Sequence, residues 1–294
     1  MDRVPCKIIL SEPEDVPLHT SRLHRSVAAL ICTMALGCVS VFAATPLPNA
    51  PVPVAVLPNA PAAQKQPVES RQAVTARNAP GQVIRQQGAI WTSPARIRAH
   101  DLIWLAPVAA ATGAALATDH HTMSQVVSHD ATFNQDNVNV SDGVIGGLLG
   151  APVALYGWGL MKHDQHAHET GILGSEAIVD GLVVDEAMKL VFWRERPVLH
   201  NARGDFFQGD ATADSSFPST HAVLAWSSAA VLAGEYPTWW KQAGVYTAAT
   251  TVSLTRVLGR QHFPTDVLVG STIGWLIGHY VYRHYHRWEL RRKN

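Results

Sequence analysis

Six apolar stretches follow one another from about Ala99 onward, and they limit the fold more than any other feature of the sequence. They cover residues 102–117, 144–161, 172–193, 222–233, 243–258 and 267–277. They show little of the alternation of apolar and polar residues that is typical of half-buried strands. We therefore predict an all-α fold, a helical bundle of about six core helices. Between the first two stretches, the polar segment 119–142 is predicted as a long loop or a short helix, with Ser141 or Asp142 as a cap.

The first 95 residues differ in composition from the rest of the chain. A basic segment precedes an apolar run at residues 26–44, which is typical of an export signal or an N-terminal membrane anchor. The segment that follows, residues 45–95, is rich in proline and alanine, a composition that favours extended conformations and cannot form a core. The sequence thus predicts three parts: a signal or anchor at 1–44, a disordered linker at 45–95 and a functional domain at 96–294.

The apolar runs are short for membrane spans, because most contain fewer than the roughly 20 residues that a span needs. The third run also contains four acidic residues that are costly in lipid: Glu176, Asp180, Asp185 and Glu186. In a six-span bundle after an exported linker, the arginine-rich tail would lie outside, against the positive-inside tendency. We therefore predict an exported domain in the periplasm or cell envelope that is soluble or peripherally membrane-associated rather than integral.

A helix start with polar side chains lies just before the fourth apolar run, in the segment Ser-Phe-Pro-Ser-Thr-His-Ala at 216–222. Pro218 and Ser219 are helix-start signals, with Ser219 as the N-cap. The first turn of such a helix presents free backbone N–H groups and the positive end of the helix dipole, which together attract an anion such as phosphate. His221 lies beside this turn, and histidine is the side chain best suited to moving protons near neutral pH.

Two cations come before this helix start, at Lys189 and Arg196. Seven residues nearly complete two helical turns, so the sequence predicts that both side chains point the same way from one helix. Pro197 is predicted to stop that helix and to leave Arg196 at its end.

A second histidine and a third cation follow in the segment that begins at Arg256. Gly259 is predicted to end one helix and Pro264 to open the next. His262 then lies in the connecting turn, and Asp266 lies in the first turn that follows. From there the carboxylate can reach back to the imidazole, fix its tautomer and leave the other nitrogen free to attack.

Together these segments resemble the three-part signature of the type-2 phosphatidic acid phosphatase and vanadium haloperoxidase superfamily. The matching elements are Lys189-x6-Arg196-Pro197, Pro218-Ser219-Thr220-His221 and Arg256-x5-His262-x3-Asp266. The resemblance covers roughly residues 101–285 and implies a bundle like those of acid phosphatases and vanadium haloperoxidases. The sequence departs from the common pattern twice, with Thr220 where many members have glycine and Thr255 where many have serine.

The resemblance also implies a reaction and a role for each residue. It implies a metal-independent phosphatase of phosphate monoesters or diphosphates, including lipid-linked ones, with no cofactor. His262, oriented by Asp266, would attack phosphorus to form a phosphohistidine. His221 would protonate the leaving oxygen and then activate water. The phosphate oxygens would be bound by Lys189, Arg196, Ser219, Thr220 and Arg256.

Two other functions stay open at this stage. In a vanadate-dependent haloperoxidase, His262 would ligate vanadium, although the domain is small for that branch. A non-catalytic exported scaffold would keep three clustered cations without a use, which is an electrostatic cost. The formal net charge is zero, so nothing indicates an affinity for nucleic acid, and nothing indicates an oligomeric state.

A histidine-rich tract lies outside the three motifs, at residues 163–168. It contains three histidines and one aspartate, which are residue types that bind metals: His163, Asp164, His166 and His168. No second cluster stands at a known ligand spacing, so a solvated segment at the end of a helix is the simpler interpretation.

Overall fold

A computed structural model describes residues 75–208 and 215–286, and seven α-helices account for most of this part of the chain. They are α1 Ala79–Thr92, α2 Leu102–His121, α3 Ala131–Lys162, α4 Gln165–Phe192, α5 Thr220–Glu235, α6 Trp239–Leu258 and α7 Pro264–Tyr285. No strand occurs within these residues, and the prediction of an all-α bundle is confirmed. The signal or anchor predicted at 1–44 lies outside the described residues.

The six predicted helices coincide with α2 to α7, but the segment 119–142 was predicted wrongly. Helix α2 continues to His121, a π-helical turn covers Thr122–Val126, and α3 begins at Ala131. The N-cap of α3 is Asp130, whose carboxylate accepts a hydrogen bond from the Phe133 N–H at 2.7 Å. A good cap eleven residues upstream of the expected one therefore places Ser141 and Asp142 inside α3.

Helix α1 lies within the range predicted as a disordered linker, so that prediction is wrong for residues 79–92. Pro80 occupies the first turn, where proline is compatible with a helix, and no further proline follows until Pro94. The helix is anchored to α4 by two amide donors: Gln86 donates to Glu176 at 2.9 Å and Gln87 to Asp180 at 2.8 Å. The rest of the predicted linker, up to residue 74, lies outside the described residues.

Helix α5 is the centre of the bundle and packs against α3, α4, α6 and α7. Its buried side chains are mostly small: Ala222, Val223, Ala225, Ala229, Ala230 and Ala233. The closest neighbour of α5 is α7. On the side that faces α5, helix α7 has a glycine at every fourth position: Gly270, Gly274 and Gly278. A Cβ atom at any of these positions would overlap the backbone at the start of α5 or within it. This close packing holds the beginning of α7 beside the beginning of α5.

The prediction of a soluble or peripherally associated domain is wrong, because the findings point to an integral membrane protein. Among the described residues, two helical segments are long and apolar enough to cross a membrane, Ala99–Val126 and Ala131–Lys162, with mean hydropathies of 1.4 and 1.5. A core helix of a soluble protein would be mostly buried. Here, no residue is buried in the most apolar part of the first segment. In the most apolar part of the second segment, 22 % of the residues are buried. Such extensive exposed apolar surface calls for an apolar surrounding.

Two of the three objections to a membrane protein, run length and acidic residues, fail on the structure. The two apolar runs are parts of longer helices, of 20 residues in α2 and 32 in α3. Three of the four acidic side chains of α4 are buried inside the protein rather than facing lipid, and these are Glu176, Asp180 and Asp185. The cost of a carboxylate in lipid depends on whether it faces the lipid or the protein interior. The length of an apolar run and the number of its charges cannot show which of the two it faces.

Candidate active site

The three sequence motifs meet at one end of the bundle. The end of α4, the beginning of α5, the end of α6 and the beginning of α7 all contribute to it. Contacts between these segments bring together all eight residues that the sequence predicted for the site: Lys189, Arg196, Ser219, Thr220, His221, Arg256, His262 and Asp266.

The predicted helix start at Ser219 is confirmed. Helix α5 begins at Thr220, and the Ser219 hydroxyl caps it by accepting a hydrogen bond from the Ala222 N–H at 3.5 Å. The Ser219 N–H donates to the carbonyl oxygen of Asp266 at 3.2 Å, which ties the first turns of α5 and α7 together. Because its hydroxyl serves as the cap and its side chain is fully buried, Ser219 supports the helix terminus.

Lys189 and Arg196 reach the site by different routes, so the predicted common helix is wrong. Helix α4 ends at Phe192, because Trp193 adopts a left-handed conformation with φ 36°. Lys189 lies in the last turn of the helix, where its Nζ lies 3.0 Å from the Asp185 carboxylate and contacts the Thr220 hydroxyl. Arg196 lies in the loop beyond, which folds back so that its guanidinium contacts the carbonyl oxygen of Gln261, beside His262.

Arg256 extends from the last turn of α6 and is 7 % exposed. Its Nη1 donates to the Asp142 carboxylate at 3.2 Å and to the Ser141 hydroxyl at 3.3 Å. Its Nε is buried and has no hydrogen-bond partner within residues 75–208 and 215–286. A buried guanidinium with a donor to spare is suited to an anionic oxygen.

His262 is held by a backbone carbonyl and not only by the carboxylate that the sequence predicted. Its Nδ1 donates to the Ser216 carbonyl oxygen at 2.8 Å, whereas Asp266 Oδ2 is 3.8 Å from the same nitrogen, which is longer than a hydrogen bond. Since a carbonyl oxygen can only accept, the proton of the neutral ring lies on Nδ1. The lone pair of Nε2 is then free to act as a nucleophile.

Asp266 mainly binds Arg194, a residue to which the sequence assigned no role. Arg194 Nη1 lies 2.5 Å from Asp266, and Nη2 lies 2.7 Å from Asp119 of α2. Its guanidinium carbon lies 4.0 Å from the centre of the Phe263 ring. The other Asp266 oxygen accepts the Phe263 N–H at 2.9 Å, and Asp119 accepts the Thr265 N–H at 3.1 Å. This buried network fixes the turn that carries His262, and it therefore positions the ring indirectly.

His221 has the carboxylate partner that His262 was expected to have. Its Nε2 lies 3.0 Å from Asp142 Oδ1, the same oxygen that accepts from Arg256. The sequence missed this role of Asp142, because residue 142 was interpreted as a helix cap in a loop. No local signal marks it, since His221 lies 79 residues further along the chain.

Both histidines favour the neutral form in this site. Burial lowers the pKa of His262, Asp266 opposes this shift, and the charges of Arg196 and Arg256 add to it. Burial and then the charge of Arg256 lower the pKa of His221 to about 4, although the Asp142 carboxylate opposes them. A neutral His262 is what nucleophilic attack requires.

Comparisons with known proteins agree with the motifs. Residues 170–290, which contain all eight predicted site residues, match the model of the PAP2 superfamily. Over 109 residues the chain is 33 % identical to the lipid A 1-phosphatase of Porphyromonas gingivalis, and the match covers 36 % of this chain but only 21 % of that protein. The crystal structure of a transmembrane PAP2-type phosphatidylglycerolphosphate phosphatase from Bacillus subtilis aligns with a TM-score of 0.40 and 18 % identity, over 69 % of this chain and 94 % of that one. The resemblance predicted from the motifs is thus confirmed for residues 170–290, which match the PAP2-superfamily model.

Proposed function

We propose that the chain is a phosphatase of lipid phosphates that hydrolyses monoesters or diphosphates without a metal ion in the reaction. The observation that carries this proposal is the meeting of three cations, two neutral histidines and a helix N-terminus at one site. Lys189, Arg196 and Arg256 match a phosphate group in charge, and guanidinium groups match its oxygens in geometry. Preorganised positive charge of this kind is the main requirement of phosphoryl transfer.

Two findings support a lipid as the carrier of the phosphate. The exposed apolar surfaces of α2 and α3 indicate that the protein lies in a membrane, where lipid phosphates are found. The P. gingivalis relative, which is 33 % identical to this chain over 109 residues, is a lipid A 1-phosphatase. The proposal extends that substrate class, but not that particular lipid, to this chain.

In the first step of the proposed reaction, His262 Nε2 attacks phosphorus. The new P–N bond forms as the bond between phosphorus and the leaving oxygen breaks, and the three cations stabilise the nonbridging oxygens. His221 transfers a proton to the leaving oxygen. A bound phosphate places negative charge beside His221 and, with Asp142, raises its pKa above the low value of the free site.

In the second step the same histidine acts in reverse. His221, now neutral, removes a proton from a water molecule as the water oxygen attacks phosphorus. The P–N bond breaks, phosphate is released, and His262 returns to its neutral form with the proton still on Nδ1. The Ser216 carbonyl oxygen accepts a hydrogen bond from the Nδ1–H group of His262 throughout, so the ring keeps one orientation through both steps.

The test is phosphate release by the full chain in detergent micelles containing phosphatidic acid or a polyprenyl diphosphate, compared with p-nitrophenyl phosphate, with and without a chelator. We expect faster turnover of a lipid substrate, full activity in chelator, and competitive inhibition by vanadate. Loss of activity in chelator that a divalent cation restores, at a temperature at which the chelated protein is still folded, would contradict the metal-free reaction. Oxidation of bromide by peroxide with added vanadate, without phosphate release, would assign the haloperoxidase function instead.

A further inference from the structure

At the end of α5 opposite the candidate active site, two carboxylates and two histidines converge from three parts of the chain. His166 and Glu169 lie three residues apart on one face of α4. Glu235 is the last residue of α5, and His286 directly follows α7. Since α5 has 16 residues, this cluster lies about 24 Å from the helix start that forms the candidate active site.

Three of the four groups in this cluster have ligand atoms close enough to share one ion. Those of Glu169, Glu235 and His286 all lie within 4.8 Å of one another. His166 Nε2 is 3.1 Å from one Glu235 oxygen, and His286 Nδ1 is 2.8 Å from the other. A tetrahedral ion with bonds of about 2.05 Å separates its ligand atoms by roughly 3.3 Å, so small side-chain shifts suffice for these three groups. His166 lies outside that 4.8 Å group and becomes the fourth ligand only after a further shift of its ring.

Burial makes a cation at this place favourable. Glu169 and Glu235 are each 2 % exposed, and a cation shared between two buried carboxylates offsets the repulsion between their charges. A cavity of about 320 Å³ adjoins them, lined by His166, Glu235 and His286 among others, and it gives an ion a route of entry.

The cluster also explains the histidine-rich tract of the sequence. Only His166 of that tract takes part. Asp164 instead caps α4 by accepting the N–H groups of His166 and Ala167, and His168 lies against the Tyr156 ring with centroids 4.9 Å apart. The second group of ligands comes from Glu235 and His286, which only the fold brings near, so the sequence could not show it.

We propose that His166, Glu169, Glu235 and His286 form a structural zinc site. Two imidazole nitrogens and two carboxylate oxygens suit Zn²⁺, whereas Ca²⁺ and Mg²⁺ prefer six or more oxygen ligands. The ion binds together the beginning of α4, the end of α5 and the segment after α7. It stabilises this end of the bundle and takes no part in the proposed reaction at the other end.

The test uses the full chain in detergent, purified with a histidine-free affinity tag. We expect close to one zinc ion per chain by elemental analysis after dialysis, and a thermal unfolding midpoint that falls when zinc is removed and recovers with Zn²⁺ but not with Mg²⁺. His286→Gln and Glu235→Gln should each weaken zinc binding by at least about tenfold, measured by competition with a chromophoric chelator. The matched control is His168→Gln, in the same tract but outside the cluster, and it should bind zinc as the parent does.

Two results would overturn the proposal. A parent chain without stoichiometric zinc, whose unfolding midpoint does not respond to Zn²⁺, would mean that the cluster is only a buried network of ion pairs. Equal zinc affinities of His286→Gln, His168→Gln and the parent would place the zinc elsewhere. Because His286 is partly exposed at the end of the described chain, its variant should fold even if Glu235→Gln does not.

Discussion

The two histidines of the candidate active site are held in opposite ways. His262 is 3 % exposed, its Nδ1 donates to the Ser216 carbonyl oxygen, and the surrounding turn is fixed by the Arg194 network. His221 is more open, with 29 % of its side chain exposed, and its partner is the carboxylate of Asp142, itself 55 % exposed. One imidazole is thus fixed by backbone inside the protein, and the other by a side chain at the surface of the site.

This difference suits two different tasks. A nucleophile must present one lone pair in one direction, and a buried ring that donates to a backbone carbonyl has a single tautomer and orientation. A proton carrier must gain and lose charge within each cycle, and a partly exposed ring beside a carboxylate can do so at lower cost. The comparison therefore supports the proposal that His262 attacks phosphorus and that His221 transfers protons.

The largest expected effect is that of His262→Gln. Without the nucleophile no phosphohistidine forms, so turnover should fall by at least about 10⁴-fold for every substrate, whatever its leaving group. Steady-state phosphate release checks this, with thermal unfolding to establish that the variant is folded. His284→Gln, an exposed histidine of α7, is the matched control and should keep parental activity.

His221→Ala should cost less, and the loss should depend on the leaving group. An alkoxide needs a proton as it departs, so turnover of a lipid monoester should fall by about 10²–10⁴-fold. The first step with p-nitrophenyl phosphate should be almost unaffected, because p-nitrophenolate leaves without a proton. An equal loss of the first-step rate for both substrates, measured in single-turnover experiments, would show that His221 is not the acid.

Asp142→Asn should reduce turnover of an alkyl phosphate by about tenfold and change its pH dependence. The Asp142 carboxylate raises the pKa of His221, so its loss lowers that pKa further. As the acid, His221 must be protonated in the first step, and the decline of kcat at rising pH should therefore begin at a lower pH than in the parent. The control is Asp136→Asn, an exposed residue of the same helix, and an unchanged profile in Asp142→Asn would contradict the proposed pairing.

The smallest effect concerns Thr220. The resemblance implied that Thr220 binds phosphate, and the structure adds a contact between its hydroxyl and the Lys189 ammonium. Thr220→Ser should therefore keep near-parental activity, while Thr220→Gly should lose up to about tenfold, or roughly 1.4 kcal/mol, mainly as a higher KM. A collapse of kcat in a folded Thr220→Gly protein would mean that the side chain acts on the reacting atoms.

Local features of the site could be predicted from the sequence, because each depends on a few neighbouring residues. The six core helices follow from apolar runs, and the start of α5 follows from the cap at Ser219. The three motifs also identified which side chains would meet, since their resemblance to a family carries information about packing that one sequence lacks.

The partners of those residues could not be predicted, because they depend on distant parts of the chain. Arg194 meets Asp119, which lies 75 residues earlier, and Arg256 meets Asp142, which lies 114 residues earlier. The route of Arg196 was missed because Trp193 ends α4 before the proline that was expected to do so. The membrane assignment failed for a similar reason, since it depends on which helix faces are left uncovered in the fold.

The most direct test of the account is a rapid-quench measurement of the phosphoenzyme with p-nitrophenyl phosphate. His221→Ala should release a burst of p-nitrophenol, then turn over slowly for lack of a base, while an acid-labile, alkali-stable phosphoramidate accumulates on His262. His262→Gln should give neither burst nor adduct. A burst with a phosphorylated protein in His262→Gln, and none in His221→Ala, would contradict the account and reverse the roles of the two histidines.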